Sequence, residues 1–213
     1  MTKISKNKTV FSERSKKQMM TPFPFDDFRK IFISEVKDTF MQFMEANKKR
    51  KPYIFSISVP DYIALNHPQS YCISFNGNTI EELQSNGYSF NSNNPDDLYY
   101  KYTMDEWDEH SPLPNAFPKS NEIILNYISF NENHISDEKC RYTEAFLGFR
   151  NEFFEYLIST LEQLKNENYF ASIAEDKILI NFEVREYYDE NQMCQIFGRL
   201  NDEKDLTQFE KWL

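Results

Sequence analysis

Residues 105–110 place four carboxylates, a tryptophan and a histidine in one short segment. Carboxylate oxygens and imidazole nitrogens bind hard cations and transfer protons, so the segment has the groups for a metal site or a general acid–base pair. The carboxylates are adjacent rather than spaced as in a calcium-binding loop, and no glycine turn lies among them. This spacing argues against metal binding and catalysis, and we expect neither a metal ion nor a cofactor here.

Two other interpretations of the segment stay open. Trp107 either packs into the core beneath a solvated acidic turn or anchors a protein partner, because interfaces commonly combine aromatic anchors with a charged rim. Tyr187 and Tyr188 precede a second acidic pair, and the two acidic turns would share one edge of the sheet if both followed neighbouring strands. The partner-binding residues predicted on this basis are Asp105, Glu106, Trp107, Asp108, Glu109, Asp189 and Glu190.

The remaining sequence lacks the motifs of common enzymes. Only four glycines are present, and there is no phosphate-binding loop, dinucleotide fingerprint or Gly-x-Ser-x-Gly elbow. The three histidines fall in predicted loops without ligand spacing. We therefore predict a protein that is not an enzyme. The alternatives are an enzyme of unrecognised type that uses the carboxylates near Trp107, and a structural or regulatory subunit.

Charge is unevenly distributed along the chain. Residues 1–21 contain six basic residues and one glutamate, which gives them a charge of +5. Because the whole chain has a net charge of −10, residues 22–213 carry −15. Such an acidic domain repels nucleic acid and attracts a basic partner, although the charge would equally provide solubility. No apolar run approaches a membrane span, no signal peptide is recognisable, and three scattered cysteines suit a reducing compartment. We expect a cytoplasmic protein, and the oligomeric state stays open.

The apolar patterns predict one α+β domain over residues 22–213 behind a flexible basic tail, residues 1–21. Helices are predicted over residues 24–51, 123–128, 136–164, 191–200 and 205–212, and strands over residues 53–59, 71–75, 98–102 and 178–184. Asn76-Gly77 is expected to form a turn, and Asn78 or Thr79 to cap a short helix through Leu83. We predict a mainly antiparallel sheet of about four to six strands, with the N-terminal helix and the long helix packed on it. Its core is predicted from Phe28, Phe32, Phe40, Phe55, Ile57, Phe153, Leu157, Ile180 and Phe182.

Several of these segments, taken in this order, resemble the pattern of a known protein family. They are residues 78–83, residues 102–107, the long helix, the strand over residues 177–184, and residues 199–201. Over about residues 25–200 the chain resembles a bacterial family of uncharacterised proteins, domain of unknown function 4303. An insertion around residues 60–68 and the basic tail depart from that pattern. The resemblance implies a small acidic immunity protein, which binds and neutralises a cognate, basic toxin in the producer's cytoplasm.

Overall fold

The computed structural model describes residues 20–60, 72–91, 93–107, 115–139, 141–184 and 187–213. The strands within them are β1 (Pro52–Val59), β2 (Ser74–Thr79) and β3 (Leu179–Val184). The helices are α1 (Phe25–Ala46), α2 (Ile80–Ser85), α3 (Pro95–Tyr102), α4 (Pro118–Phe130), α5 (Glu132–Ile135), α6 (Glu144–Asn166), α7 (Tyr169–Ile173), α8 (Glu190–Leu200) and α9 (Glu203–Phe209). A single 3₁₀ turn, Met104–Glu106, follows α3.

The sheet of the described residues is smaller than predicted and mixed. Its three strands lie in the order β2–β1–β3. β1 pairs antiparallel with β2 and parallel with β3, so that Ile57 lies opposite Phe75 on one side and Phe182 on the other. The α+β class is right, but the prediction of a mainly antiparallel sheet of four to six strands is wrong. The sheet has lost one predicted strand to a helix, and its late strand joins in the parallel direction.

The lost strand is residues 98–102, which form the second half of α3. The alternating Leu98, Tyr100 and Tyr102 predicted a strand, but the signals at the start of the segment favour a helix. The side chain of Asn94 accepts a hydrogen bond from the backbone N–H of Asp96, and Pro95 occupies the first helical turn. A capping asparagine followed by proline is a typical helix start.

One face of the sheet carries the predicted core. All nine residues predicted for it are at most 4% exposed and belong to one apolar cluster with α1 and α6. The rings of Phe40 and Phe55 lie 5.3 Å apart, and those of Phe154 and Phe182 lie 6.4 Å apart. The predicted packing of the N-terminal helix and the long helix on the sheet is confirmed.

A second apolar cluster includes Tyr53, Ile54 and Leu179 of the sheet together with side chains from α2, α3, α8 and α9. Because neighbouring residues of a strand point to opposite faces, β1 and β3 are covered on both sides. The second cluster is where the predicted partner-binding segments are attached, since Trp107 and Phe197 both belong to it.

Several element boundaries differ from the prediction. α1 ends at Ala46 rather than near residue 51, and the longest helix begins at Glu144 behind a capping Thr143 rather than at residue 136. Asn76 and Gly77 lie within β2. The predicted cap Thr79 is confirmed, because its hydroxyl accepts a hydrogen bond from the backbone N–H of Glu82.

The predicted tail, residues 1–21, lies outside the described residues except for its last two. Thr21 hydrogen-bonds Asn131 through both its backbone N–H and its hydroxyl. The division into a tail and a single domain stays a prediction. None of the described helices is long and apolar enough to cross a membrane.

Candidate functional site

The acidic segment leaves α3 through the 3₁₀ turn. Asp105 and Glu106 are exposed there, whereas Trp107 is only 7% exposed. Asp108, Glu109 and His110 lie outside the described residues. The structure thus brings two of the predicted carboxylates to the surface beside a buried indole.

Trp107 belongs to the core rather than to the surface. Its indole N–H donates a hydrogen bond to the backbone carbonyl of Tyr100 over 2.8 Å, and its ring packs in the second apolar cluster. Of the two interpretations of Trp107, the buried one is therefore correct, and the ring is not available to anchor a partner.

Tyr99 supplies the exposed ring that Trp107 does not. It is 50% exposed, and its hydroxyl donates a hydrogen bond to a carboxylate oxygen of Glu106 over 3.2 Å. The hydrogen bond to Glu106 and the negative charges of Glu106 and Asp105 raise the pKa of the phenol. Sequence reasoning missed Tyr99 because the strand prediction gave it no special place. In the helix, Tyr99 is half exposed, whereas its neighbours Leu98, Tyr100 and Tyr102 are buried.

The exposed side of α3 continues this acidic surface. Asp96 is exposed and precedes Tyr99 by three residues, a spacing that puts two side chains on the same helix face. We call Asp96, Tyr99, Asp105 and Glu106 the acidic patch.

Asp189 and Glu190 begin α8, where both are exposed. The carboxylate of Asp189 accepts a hydrogen bond from the backbone N–H of Gln192 over 2.8 Å, and the side chain of Gln192 accepts one from the backbone N–H of Asp189 over 3.0 Å. This reciprocal capping box gives Asp189 a structural role whether or not it binds a partner.

The idea that the two acidic turns share one edge of the sheet is wrong, because the first follows α3 and not a strand. Both turns are nevertheless attached to helices that pack into the second cluster. Within the described residues, no group of three His, Cys, Asp or Glu side chains is placed to hold a metal ion.

Comparison with known proteins identifies a family but no function. Residues 33–202 match the family described as Domain of unknown function (DUF4303). Neither a curated protein nor a solved structure matches the chain. The match covers most of the 213 residues and includes α2, α6, β3 and α8, so the chain belongs to the DUF4303 family.

Proposed function

We propose that the protein is a bacterial immunity protein, which binds and neutralises a basic toxin through the acidic patch. The observation that carries the proposal is the pairing of Tyr99 with Glu106: a half-exposed ring is held by a hydrogen bond beside exposed carboxylates. Tyrosine is enriched among the residues that dominate interface energies, and surrounding charges set the rate and specificity of association.

The patch rests on a support that reduces the cost of binding. Trp107 ties the turn to α3 through its hydrogen bond to the backbone carbonyl of Tyr100. α3 is in turn held against the protein by the buried side chains of Leu98 and Tyr102. A surface that is already ordered loses less conformational entropy when a partner binds. The acidic patch is therefore suited to tight binding of a rigid partner.

The chemistry of the partner follows from charge. The chain has a net charge of −10, and three of its exposed carboxylates lie in the patch with one exposed ring. A negative surface accelerates the approach of a basic protein and repels nucleic acid. The assignment of that partner as a toxin rests on the resemblance to immunity proteins. We expect a second contact with the partner at the start of α8, through Asp189 and Glu190.

The test begins with the genes adjacent to this one: a basic toxin domain encoded there is purified in a catalytically disabled form. We expect the wild-type protein to bind it with an association rate that falls as salt increases. Asp105→Lys and Glu106→Lys should slow association, and Tyr99→Ala should speed dissociation. Glu132→Lys is the matched control, because Glu132 is an exposed carboxylate on α5, away from the acidic patch.

Two results would contradict the proposal. The first is that co-expression of the protein with the active toxin gives the host no protection. The second is that protection and affinity are unchanged by both charge reversals and by Tyr99→Ala. Turnover of a substrate, or one tightly bound metal ion per chain, would instead favour the alternative of an enzyme that uses the carboxylates near Trp107. A regulatory or structural subunit would copurify with a partner that is not toxic.

A further inference from the structure

A cavity of 790 Å³ lies where β1 and β3 begin, between α3 and α9. Its walls come from residues far apart in the sequence, among them Lys51, Phe90, Lys101, Lys177, Lys204 and Lys211. Its volume is within the range of sites for small-molecule ligands. We call it the lysine cavity.

The charge of the lysine cavity is opposite to that of the protein. Five lysines line it against two aspartates, in a chain whose net charge is −10. One of the lysines, Lys177, is engaged by acidic partners: it pairs with Asp202 over 2.6 Å and also with Asp205. Within the described residues, no ion pair links Lys51, Lys204 or Lys211 to a carboxylate, although Lys211 lies 3.4 Å from the side-chain oxygen of Asn93. These three lysines are exposed and line the cavity, and none of them pairs with an acidic side chain of the described part of the chain.

Lys101 provides a positive charge in the wall itself. It is 3% exposed, and its ammonium group donates hydrogen bonds to the side chain of Gln208 over 2.7 Å and to the carbonyl of Phe90 over 3.4 Å. It also lies 3.9 Å from the centre of the Phe90 ring. Burial lowers the pKa of Lys101 to about 8, and the negative charge of Asp205 partly opposes this shift. A buried ammonium with only neutral hydrogen-bond acceptors is poorly solvated, so an anion placed in the cavity would stabilise it.

From this geometry we propose that the lysine cavity binds a small molecule that carries a diphosphate group. A diphosphate has separate negatively charged oxygens that lysines from different elements can contact at once. Lysine binds phosphate as a compact point charge, and the lysines that line this cavity come from several elements, so they suit a ligand whose charge is spread over several oxygens. The ring of Phe90 offers an apolar wall for an organic group attached to the phosphates.

This site is separate from the acidic patch. Tyr99 and Lys101 are two residues apart on α3, and they lie on opposite sides of it: one is half exposed and the other is buried against Phe90 and Gln208. The inference therefore goes beyond the proposed function, and either can fail without the other.

The experiment titrates pyrophosphate and adenosine diphosphate separately into the full-length protein by calorimetry. We expect saturable binding of one equivalent, with affinity falling as salt increases. Lys204→Gln and Lys211→Gln should each weaken it by about tenfold or more, because each removes a charged contact. Lys119→Gln is the matched control: it removes an exposed lysine on α4, which is not a lining residue, and should leave affinity unchanged.

Comparison of the two probes identifies the source of the diphosphate. If adenosine diphosphate binds more tightly and Phe90→Leu removes the difference, the cavity holds a nucleotide through both parts. Equal affinities would assign it to a free diphosphate. Both outcomes support the diphosphate site.

Three results would overturn the proposal. They are the absence of saturable binding by the wild type at millimolar probe, an equal loss of affinity in Lys119→Gln and Lys204→Gln, and equally tight binding of citrate. Lys204 and Lys211 are exposed, so their variants should fold; an unchanged thermal unfolding curve for each verifies this.

Discussion

Trp107 closes the end of α3 by donating its indole N–H to the carbonyl oxygen of Tyr100, 2.8 Å away. The last carbonyls of a helix have no partner within the helix. The next carbonyl, that of Lys101, accepts a hydrogen bond from the hydroxyl of Tyr53 over 3.0 Å. The tryptophan that marks the acidic segment in the sequence is therefore a structural cap, and it holds the exposed Asp105 and Glu106 in place.

Replacement of Trp107 should lower stability rather than change a binding surface. Trp107→Phe keeps a ring but removes the donor of the buried hydrogen bond to the Tyr100 carbonyl, so the free energy of unfolding should fall by about 1–3 kcal/mol. Urea denaturation measures this. Trp212→Phe is the control, because within the described residues the Trp212 indole N–H makes no hydrogen bond. Similar unfolding curves for the two variants would contradict the capping role.

A buried carboxylate caps the N-terminal end of α4. Glu35 of α1 is 8% exposed, and its two oxygens accept hydrogen bonds from the backbone N–H groups of Lys119 and Ser120 over 2.8 and 3.0 Å. The residue at the N-cap position, Phe117, has no polar side-chain atom for this purpose. Glu35 also places a negative charge at the positive end of the helix dipole.

Glu35→Ala should therefore destabilise the protein by about 1–3 kcal/mol, because the buried N–H of Ser120 and the part-buried N–H of Lys119 both lose their acceptor. Glu122→Ala removes an exposed carboxylate from α4 and should change stability by less than about 0.5 kcal/mol. Thermal unfolding of the two variants provides the comparison. If Glu35→Ala were as stable as Glu122→Ala, the contact between α1 and α4 would not depend on this carboxylate.

The long helix provides a test of the packing predicted from its apolar stripe. Phe153 is fully buried, and its ring lies 5.5 Å from that of Phe28 and 5.6 Å from that of Phe149. Phe153→Ala should cost about 3–5 kcal/mol because the removed ring leaves a cavity. Phe130→Ala, at a ring that is 75% exposed, should cost little. Equal melting temperatures for the two variants would show that Phe153 does not contribute to the core as described.

Long apolar patterns predicted the helices and the core well because their period is repeated over several turns. The same rule fails for short segments: Leu98, Tyr100 and Tyr102 suit a strand as well as one side of a short helix, and the cap at Asn94 decides between them. The parallel pairing of β1 with β3 joins segments far apart in the sequence, and no local pattern records such a partner.

Asn76-Gly77 shows how a turn signal can have another cause. A Cβ atom at position 77 would lie 2.7 Å from ring carbons of Phe43, so glycine is required by the ring that packs against β2. The sites show the same limit. Asp105 and Glu106 of the acidic patch are adjacent in the sequence and were predicted from it, whereas the lysines of the lysine cavity are brought together only by the fold.

Alkaline pH should destabilise the protein through buried phenols, and Tyr127 is the clearest case. It is 8% exposed, with its ring 4.5 Å from that of Phe149. Burial, and secondarily the negative charge of Glu152, raise its pKa from 10.0 to about 12. The unfolded chain loses this proton near pH 10 and the folded chain only near pH 12. The folded state therefore binds more protons in this window, and the contribution of Tyr127 to stability falls as pH rises through it.

Tyr127→Phe removes this titration. Within the described residues its hydroxyl makes no hydrogen bond, so the variant should unfold like the wild type between pH 7 and 9. From pH 10 to 12 it should become progressively more stable than the wild type, because phenylalanine has no proton to lose. Urea denaturation at each pH measures the difference, and the pair at pH 7 is its own control. A difference that is constant with pH would mean that the Tyr127 phenol titrates alike in the folded and unfolded chains, and a variant that lost relative stability above pH 10 would reverse the predicted sign.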